Sequence, residues 1–273
     1  MSHTERAKYL TDLTDEQWQI LRKLLPQPSR RGAPQTICRR AILDAIIYVV
    51  RSGCPWRLLP HEFPNWKTVY GIFFRWRNDG TWQRIHDTLR DMLRRRLGRK
   101  KSPSAAIIDS QTVKTSEVGG QRGYDAGKKI NGRKRHIVVD TLGLILALVV
   151  HSADVQDQDG AVLVLRILGR LKERFHRLKV IFGDSAYGRN NLPECVKGAF
   201  GWLLQTVLRP AKVKGFVVLP KRWIVERTFG WINRARRLAK DFEATIESSL
   251  AWLLIALAFL LTRRLARISG QET

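Results

Sequence analysis

Two aspartates stand directly after apolar runs in a chain that is otherwise strongly basic. Asp109 follows Ala105-Ala106-Ile107-Ile108, and Asp184 follows the apolar segment 178–183. If both runs are strands of one open α/β sheet, the two carboxylates lie at the edge where functional groups collect. Carboxylates on adjacent strand ends repel each other unless a cation lies between them, and hard oxygen ligands favour Mg²⁺ or Mn²⁺. The pair therefore predicts a divalent metal site.

Glu226 is the best candidate for a third carboxylate, because basic residues surround it in the sequence. They are Lys221, Arg222, Arg227, Arg234, Arg236 and Arg237. A carboxylate on a DNA-facing basic surface weakens phosphate binding, so we expect a compensating role such as metal binding. Simpler interpretations exist: a strand-end Asp is often a turn or cap residue, and Glu226 can pair with Arg222 one helical turn away. Together the three acids favour metal-dependent phosphoryl transfer.

The net charge indicates a polyanionic partner. The chain has 273 residues with 49 Lys+Arg against 24 Asp+Glu, a formal net charge of +25. Such a chain attracts nucleic acid first of all. Hydrophobic residues make up 44%, which excludes wholesale disorder. Three scattered cysteines predict a reduced, cytoplasmic protein.

Membrane insertion is not expected. The N-terminus lacks the apolar core of a signal peptide. The longest apolar run, Leu250 to Leu261, is 12 residues long, short of the roughly 20 that a membrane span needs. We interpret it as a buried helix.

The first third of the chain predicts short helices with tight turns. Thr14 and Gln17 form a capping box before the first helix, and a second runs from about Thr36 to Ser52 with Gly53 as its C-cap. Asn65 caps an aromatic helix, and Thr81 begins a helix that ends near Gly98. This pattern fits a helix-turn-helix module. We place a helical DNA-binding domain at residues 1–101 and a second domain at 102–273.

The second domain is predicted to be mixed α/β. Strands are expected at 105–108, 178–183 and 202–208, with a loop at 111–133. A hairpin joins 134–140 to 144–152 through 141–143. Helices are expected at 159–175, 220–241 and 246–268. Within the strands, His136 and His151 are interpreted as packing or hydrogen-bonding residues, and Asp157 or Asp159 as the cap of the following helix.

Three sequence blocks carry a family resemblance. They are Ile108-Asp109-Ser110-Gln111, Gly183-Asp184-Ser185-Ala186-Tyr187 and Arg222-Trp223-Ile224-Val225-Glu226-Arg227. These blocks, with segments 13–18, 53–60, 125–140 and 236–243, resemble a bacterial insertion-sequence DDE transposase of the insertion-sequence-five family, related to the insertion-sequence-four superfamily. The resemblance implies a ribonuclease-H-like core, with Asp109 on the first strand, Asp184 on the fourth and Glu226 on a late helix.

The match to the family's tyrosine-arginine-glutamate-lysine signature is incomplete. Arg222 fits the Arg that stands four residues before the Glu. Leu219 stands at the Tyr position and Asn233 at the Lys position. These departures leave the assignment of Glu226 in place, and they affect only how the signature's Tyr and Lys would contact the DNA end.

The resemblance also implies a reaction. Two Mg²⁺ ions, with Mn²⁺ as a possible substitute, would be held by Asp109, Asp184 and Glu226. The enzyme would bind the terminal inverted repeats of its insertion sequence, cleave there, and transfer the freed 3′-OH to target DNA. Its partner would be double-stranded DNA, with no small-molecule substrate and no membrane. Because two DNA ends must meet, a homo-oligomer on DNA is expected.

Twelve basic residues are candidate DNA contacts. They are Lys67, Arg75, Arg77, Lys114, Arg122, Lys128, Lys129, Arg133, Arg222, Arg227, Arg234 and Arg237. Two other functions remain open: a metal-dependent nuclease on the same core, and a domesticated or inactive DNA-binding protein. The presence of all three acids argues against the second of these.

Overall fold

A computed structural model describes residues 6–27, 37–117, 120–207 and 221–270, and the chain divides into two compact units. The first unit comprises the described residues of Met1–Leu97, Ile232–Ala239 and Glu247–Thr273. The second comprises those of Gly98–Trp231 and Lys240–Ile246. The chain therefore leaves the first unit and returns to it twice.

The first unit is helical, and capping residues close to each helix end in the sequence mark where its helices begin and end. Its helices in the described ranges are α1 (Asp15–Leu21), α2 (Arg39–Ser52), α3 (Trp66–Asn78), α4 (Thr81–Arg96), α8 (Arg236–Ala239) and α9 (Ile246–Ser269). The capping box of Thr14 and Gln17 is confirmed at α1. Gly53 ends α2 at φ 80°, and the Asn65 side chain accepts from Lys67 N to begin α3.

The last helix, α9, lies in the core of the first unit. The Trp252 side chain is buried, and its ring centroid lies 4.6 Å from that of Phe73 and 5.4 Å from that of Trp56. By length and composition α9 could cross a membrane, with mean hydropathy 1.6, but 61% of its most apolar stretch is buried inside the protein. The buried-helix prediction therefore agrees with the structure. The assignment of residues 102–273 to one domain does not, because the aromatic partners of Trp252 belong to the N-terminal segment.

The second unit is a mixed sheet flanked by helices. Its elements are β1 (Ala105–Lys114), β2 (Gly123–Asp125), β3 (Ile130–Asp140), β4 (Ile145–Ser152), α5 (Asp157–Arg170), β5 (Val180–Gly183), α6 (Leu192–Phe200), β6 (Leu203–Thr206) and α7 (Arg222–Asn233). β1 is antiparallel to β3 and parallel to β5, and β6 is parallel to β5. β2 and β4 both pair antiparallel with β3. If the three-residue β2 is set aside, β5 is the fourth strand.

The core of the second unit lies between the sheet and α5. Val164, Leu165 and Leu168 of α5 are buried in one cluster with Ile108 and Val138 of the sheet. The predicted hairpin between 134–140 and 144–152 is present, and Gly143 closes it at φ 80°. The mixed α/β prediction therefore agrees with the observed elements.

Two predicted boundaries are wrong. β1 does not end at Ile108 but continues to Lys114, paired with β3 throughout, so the predicted loop at 111–133 contains β2 and the start of β3. The predicted helix at 220–241 is broken between α7 and α8, where the Arg234 carbonyl accepts from Arg51 Nη1 at 3.1 Å. The predicted ends at Leu208 and Pro220, and the helix start at Thr36, lie outside the described residues.

Candidate active site

The acid pair lies where the parallel strands β1 and β5 run side by side. Their pairing ends with Ile107 opposite Phe182, and Asp109 and Asp184 each lie two residues further along the chain. A backbone N–H holds each carboxylate: Ser110 N donates to Asp109 Oδ1 at 2.7 Å, and Ala186 N donates to Asp184 Oδ1 at 2.9 Å. The prediction that Asp109 ends its strand is wrong, because β1 continues to Lys114; Asp109 lies two residues beyond the segment of β1 that pairs with β5.

The electrostatics of this pair favour a bound cation. Burial first of all, together with the charge of Asp184, raises the pKa of Asp109 to about 6, although the Ser110 N–H, Arg222 and Lys128 act to lower it. Burial also raises the pKa of Tyr187 well above 10, with the charges of Asp109, Asp157 and Asp184 acting in the same direction. Tyr187 therefore stays a neutral phenol beside the acids. Two adjacent carboxylates that repel each other are a donor set that fits Mg²⁺.

Glu226 stands apart from this pair. It lies on α7 with 51% of its side chain exposed, and its Oε1 is 3.7 Å from Arg222 Nη2. Within the part of the chain that the structure describes, no three His, Cys, Asp or Glu side chains gather closely enough to hold one metal ion. The structure thus brings Asp109 and Asp184 together, while the role of Glu226 stays a prediction. The simpler interpretation, a pair with Arg222, is present.

Helix α7 is fixed to the β3–β4 hairpin through two of its side chains. Arg227 Nη2 donates to Leu142 O at 3.0 Å, and Thr228 Oγ1 donates to Gly143 O at 2.9 Å. The Arg227 guanidinium also lies 4.6 Å from the ring centroids of both Trp223 and Trp231. Arg227 therefore holds α7 on the hairpin. Because its side chain is half-buried and not closed off from solvent, its assignment as a DNA contact stays a prediction.

Two other predicted DNA contacts are buried. Arg133 is 0% exposed, and its guanidinium is 3.2 Å from Asp241 Oδ1 and donates to Gln121 O at 2.9 Å. Arg237 is buried, donates to Cys54 O at 3.0 Å and lies 4.8 Å from the Trp252 ring centroid. Both predictions are wrong, because these cations bind groups inside their own unit and do not face solvent.

The remaining candidates reach the surface. Arg77 is half-buried, donates to Ser248 Oγ at 2.6 Å and lies over the Phe74 ring, and Arg222 is half-buried beside Glu226. The fully exposed ones are Lys67, Arg75, Lys114, Arg122, Lys128, Lys129 and Arg234. Of the two departures from the family signature, Asn233 is exposed at the end of α7, and Leu219 lies outside the described residues.

A buried polar network beside the acids was missed by the sequence interpretation. Ser110 Oγ donates to Asp157 Oδ1 at 2.9 Å, and Lys134 Nζ lies 3.1 Å from the same oxygen. His136 Nδ1 and His151 Nε2 are 2.8 Å apart, which confirms their interpretation as hydrogen-bonding residues. Neither Asp157 nor Asp159 caps α5, because the N-cap residue is Gln156 and it makes no side-chain hydrogen bond. The sequence signal that could have revealed this network is the alternation of the polar residues Ser110 and Thr112 along β1.

Comparisons with known proteins agree with this geometry. Residues 13–86 match the family model "Putative transposase of IS4/5 family", and residues 100–261 match the model "Transposase DDE domain". The "Insertion element IS402 uncharacterized 16.2 kDa protein" of Burkholderia cepacia is 29% identical over 123 residues, which are 43% of this chain and 81% of that protein. "Uncharacterized protein y4sN" of Sinorhizobium fredii (strain NBRC 101917 / NGR234) is 26% identical over 117 residues, 42% of this chain and 87% of its own length. No solved structure matches the chain.

Proposed function

The chain belongs to the DDE transposase family, and from this premise we propose that it recognises the terminal inverted repeats of a bacterial insertion sequence and moves that element. Enzymes of this family cut DNA and transfer strands with the help of divalent metal ions. The predicted fold class, a ribonuclease-H-like core with a helical N-terminal region, is confirmed by that family and by the mixed sheet. The mechanism below is proposed from the residues of this chain.

The observation that supports the proposal best is that Asp109 and Asp184 each follow the paired segment of β1 and β5 by two residues, and that the charge of Asp184 acts on Asp109. These side chains would hold Mg²⁺, with Mn²⁺ as a substitute, and Glu226 would complete a site for two ions. Divalent ions bound there supply Lewis-acid activation of the attacking oxygen and neutralise charge on the scissile phosphate. The carboxylates would act as ligands and not as proton carriers. Water would be the first nucleophile and the freed 3′-OH the second, so no covalent enzyme–DNA intermediate and no serine or tyrosine nucleophile is required.

Glu226 joins the acid pair when Arg222 exchanges its contact with Glu226 for a contact with DNA. The 3.7 Å pair reaches solvent, with 24% of the Arg222 side chain and 51% of the Glu226 side chain accessible. An exposed ion pair contributes at most about 1 kcal/mol, so breaking it costs little. A DNA phosphate that binds the Arg222 guanidinium frees Glu226 to turn toward the ions. Arg222 would thus pair with the substrate in place of Glu226.

The exposed basic residues of the second unit supply phosphate contacts around this site. We assign that role to Lys114, Arg122, Lys128, Lys129 and Arg234, all of which face solvent. Such contacts fix the position of the duplex without reading its sequence. Target DNA and the element's own ends are both bound in this way.

Sequence reading is assigned to α3 in the first unit. Its solvent-facing side combines Lys67 and Arg75 with the exposed rings of Tyr70 and Phe74, and Arg77 covers Phe74 at 4.3 Å. Cationic and aromatic groups on one helix face suit a nucleic-acid surface. Since two element ends must be held together, the active form is a homo-oligomer on cytoplasmic, nucleoid DNA, and it needs no small-molecule substrate and no membrane.

A cleavage and strand-transfer assay tests the function. A labelled duplex from the DNA flanking the coding region is incubated with Mg²⁺ or EDTA and with wild type, Glu226→Gln or Glu194→Gln. Glu194 is an exposed glutamate on α6 and serves as the matched control. Metal-dependent joined products that Glu226→Gln loses and Glu194→Gln keeps support a transposase with Glu226 as third acid. Cleavage without joining indicates a nuclease, and binding without cleavage indicates a DNA-binding protein.

A further inference from the structure

The turn between β2 and β3 contains Lys128, whose backbone N–H and side-chain ammonium are both hydrogen-bonded. Asp125 Oδ1 accepts from Lys128 N at 3.1 Å, and Asp125 Oδ2 accepts from Thr112 Oγ1 at 2.6 Å. Lys128 Nζ in turn donates to Thr112 Oγ1 at 3.3 Å. The backbone and the ammonium of Lys128 are therefore both connected to one carboxylate, the second through a hydroxyl on β1.

The buried ammonium of Lys134 stabilises this arrangement. Asp125 is 8% and Lys134 is 5% exposed, and Lys134 Nζ lies 3.6 Å from Asp125 Oδ2. The same ammonium is 3.1 Å from Asp157 Oδ1 and donates to Val155 O at 2.8 Å. Buried ion pairs add little net stability, because desolvation offsets the attraction between the charges. What this cluster achieves is a fixed geometry that ties the turn and the start of α5 to β1.

Fixing the ammonium matters because Lys128 itself faces solvent. A free surface lysine loses side-chain entropy when a ligand immobilises it. Lys128 has lost part of that freedom before any ligand arrives. Thr112, which accepts from its ammonium, is three residues beyond Asp109 on β1. The Lys128 charge also acts on Asp109, where it helps to lower the pKa of that carboxyl.

We propose that Lys128 binds a DNA phosphate, and that Asp125 and Thr112 are positioning residues that act through Lys128. This inference rests on the proposed function, since it takes DNA as the substrate. The preformed ammonium has less side-chain freedom left to lose when the phosphate binds.

Asp125→Asn tests the proposal by the sign of its effect. Removing a carboxylate from a basic surface raises DNA affinity if only the overall electrostatic potential of the protein determines binding. Positioning predicts the opposite: the new amide N–H₂ faces Thr112 Oγ1 and Lys134 Nζ as a donor, the turn is released, and binding weakens several-fold. Asp154→Asn is the matched control, because Asp154 is an exposed carboxylate in the same unit that does not hold Lys128. It should bind DNA as tightly as wild type or more tightly.

A double-mutant cycle shows whether Asp125 acts through Lys128. Equilibrium binding of a duplex of arbitrary sequence is measured over a range of NaCl concentrations. Lys128→Gln should reduce the slope of log K against log salt by about 0.9, the value for one lost phosphate contact. Asp125→Asn should add little in the Lys128→Gln background. In the Lys129→Gln background it should keep its full effect.

Substitutions of Thr112 distinguish an effect on the position of Lys128 from an effect on folding. Thr112→Val removes the hydroxyl and should weaken binding like Asp125→Asn, whereas Thr112→Ser keeps the hydroxyl and should restore it. Urea unfolding of each variant reports stability separately. Additive effects of Asp125→Asn and Lys128→Gln, or equal binding by the Val and Ser variants, overturn the proposal.

The cleavage assay run in parallel keeps the two proposals distinguishable. If wild type cleaves and every variant matches it in binding and cleavage, this inference fails while the proposed function stands. If wild type shows no metal-dependent cleavage, the proposed function fails, and the salt slopes still decide whether Asp125 positions Lys128 for a phosphate.

Discussion

Mild acid should destabilise the sheet unit through the pair formed by His136 and His151. His136 is fully buried, with ring centroids 5.0 Å apart in the pair, and burial together with the charge of His151 lowers its pKa to about 3. In the unfolded chain a histidine titrates near 6.5. The unfolded state therefore binds a proton that the folded state refuses, so this contribution to stability is complete above pH 6.5 and is lost as the pH falls toward 3.

The size of the loss follows from the two pKa values. At pH 5 the unfolded histidine is about 1.5 pH units below its pKa, and each unit corresponds to about 1.36 kcal/mol, so the loss is about 2 kcal/mol. The pKa of His151 is also lowered, by burial first of all, and its titration adds in the same direction. The raised pKa of Asp109 contributes with the opposite sign between about 4 and 6.

The assay compares the pH dependence of variants rather than their absolute stability. Urea unfolding is carried out between pH 7 and pH 5, and a hydrogen-exchange pulse at one fixed pH is read on peptides from β3 and β4. His136→Asn keeps a polar side chain and removes the titration, so its stability should fall by about 2 kcal/mol less than that of wild type. The difference between the two proteins cancels the contribution of Asp109.

His176→Asn is the matched control, because His176 is exposed. It should follow the pH dependence of wild type. If His136→Asn loses as much stability as wild type between pH 7 and pH 5, the buried pair is not the acid-sensitive element and the reasoning is refuted.

Four further substitutions test other parts of the structure. Asp184→Asn should abolish metal-dependent cleavage and leave salt-sensitive DNA binding intact in a gel-shift assay; normal cutting would disprove the metal site. Gly143→Ala should cost about 1–3 kcal/mol in urea unfolding, because φ is 80° and the new Cβ would lie 2.8 Å from Thr228 Oγ1. Trp252→Ala should cost about 3–5 kcal/mol, measured on peptides of the first unit, because it empties a buried aromatic cluster. Gly71→Ala should raise stability by about 1 kcal/mol in thermal melts, because no atom lies within 4 Å of the new Cβ on α3.

Local signals made the ends of several helices predictable. The Thr14–Gln17 capping box, the Gly53 C-cap and the Asn65 N-cap all depend on residues within a few positions of each other. The two aspartates were predictable as candidates for a similar reason, since an apolar run followed by an acid is visible without knowing the partner strand. Their adjacency followed from the parallel pairing of β1 and β5.

Contacts between distant segments were not predictable from composition. Ser110 and Thr112 resemble loop residues in the sequence, but their hydroxyls reach Asp157 and Asp125, which lie 47 and 13 positions away. The cation of Arg133 meets Asp241 at a separation of 108 positions. A charged side chain that the sequence suggests is exposed, such as that of Arg133, is buried when an acid from a distant segment packs against it. In a chain of net charge +25 it is hard to recognise from the sequence which cation pairs with which acid.

The return of the chain to the first unit sets an order of events during biosynthesis. Every residue of the second unit precedes Glu247, whereas Trp252 and the rest of α9 complete the core of the first unit. A ribosome therefore delivers the whole catalytic sheet before the helical unit can close around α9. A truncated polypeptide that stops before α9 keeps both aspartates and lacks the tryptophan on which Phe73 of α3 packs.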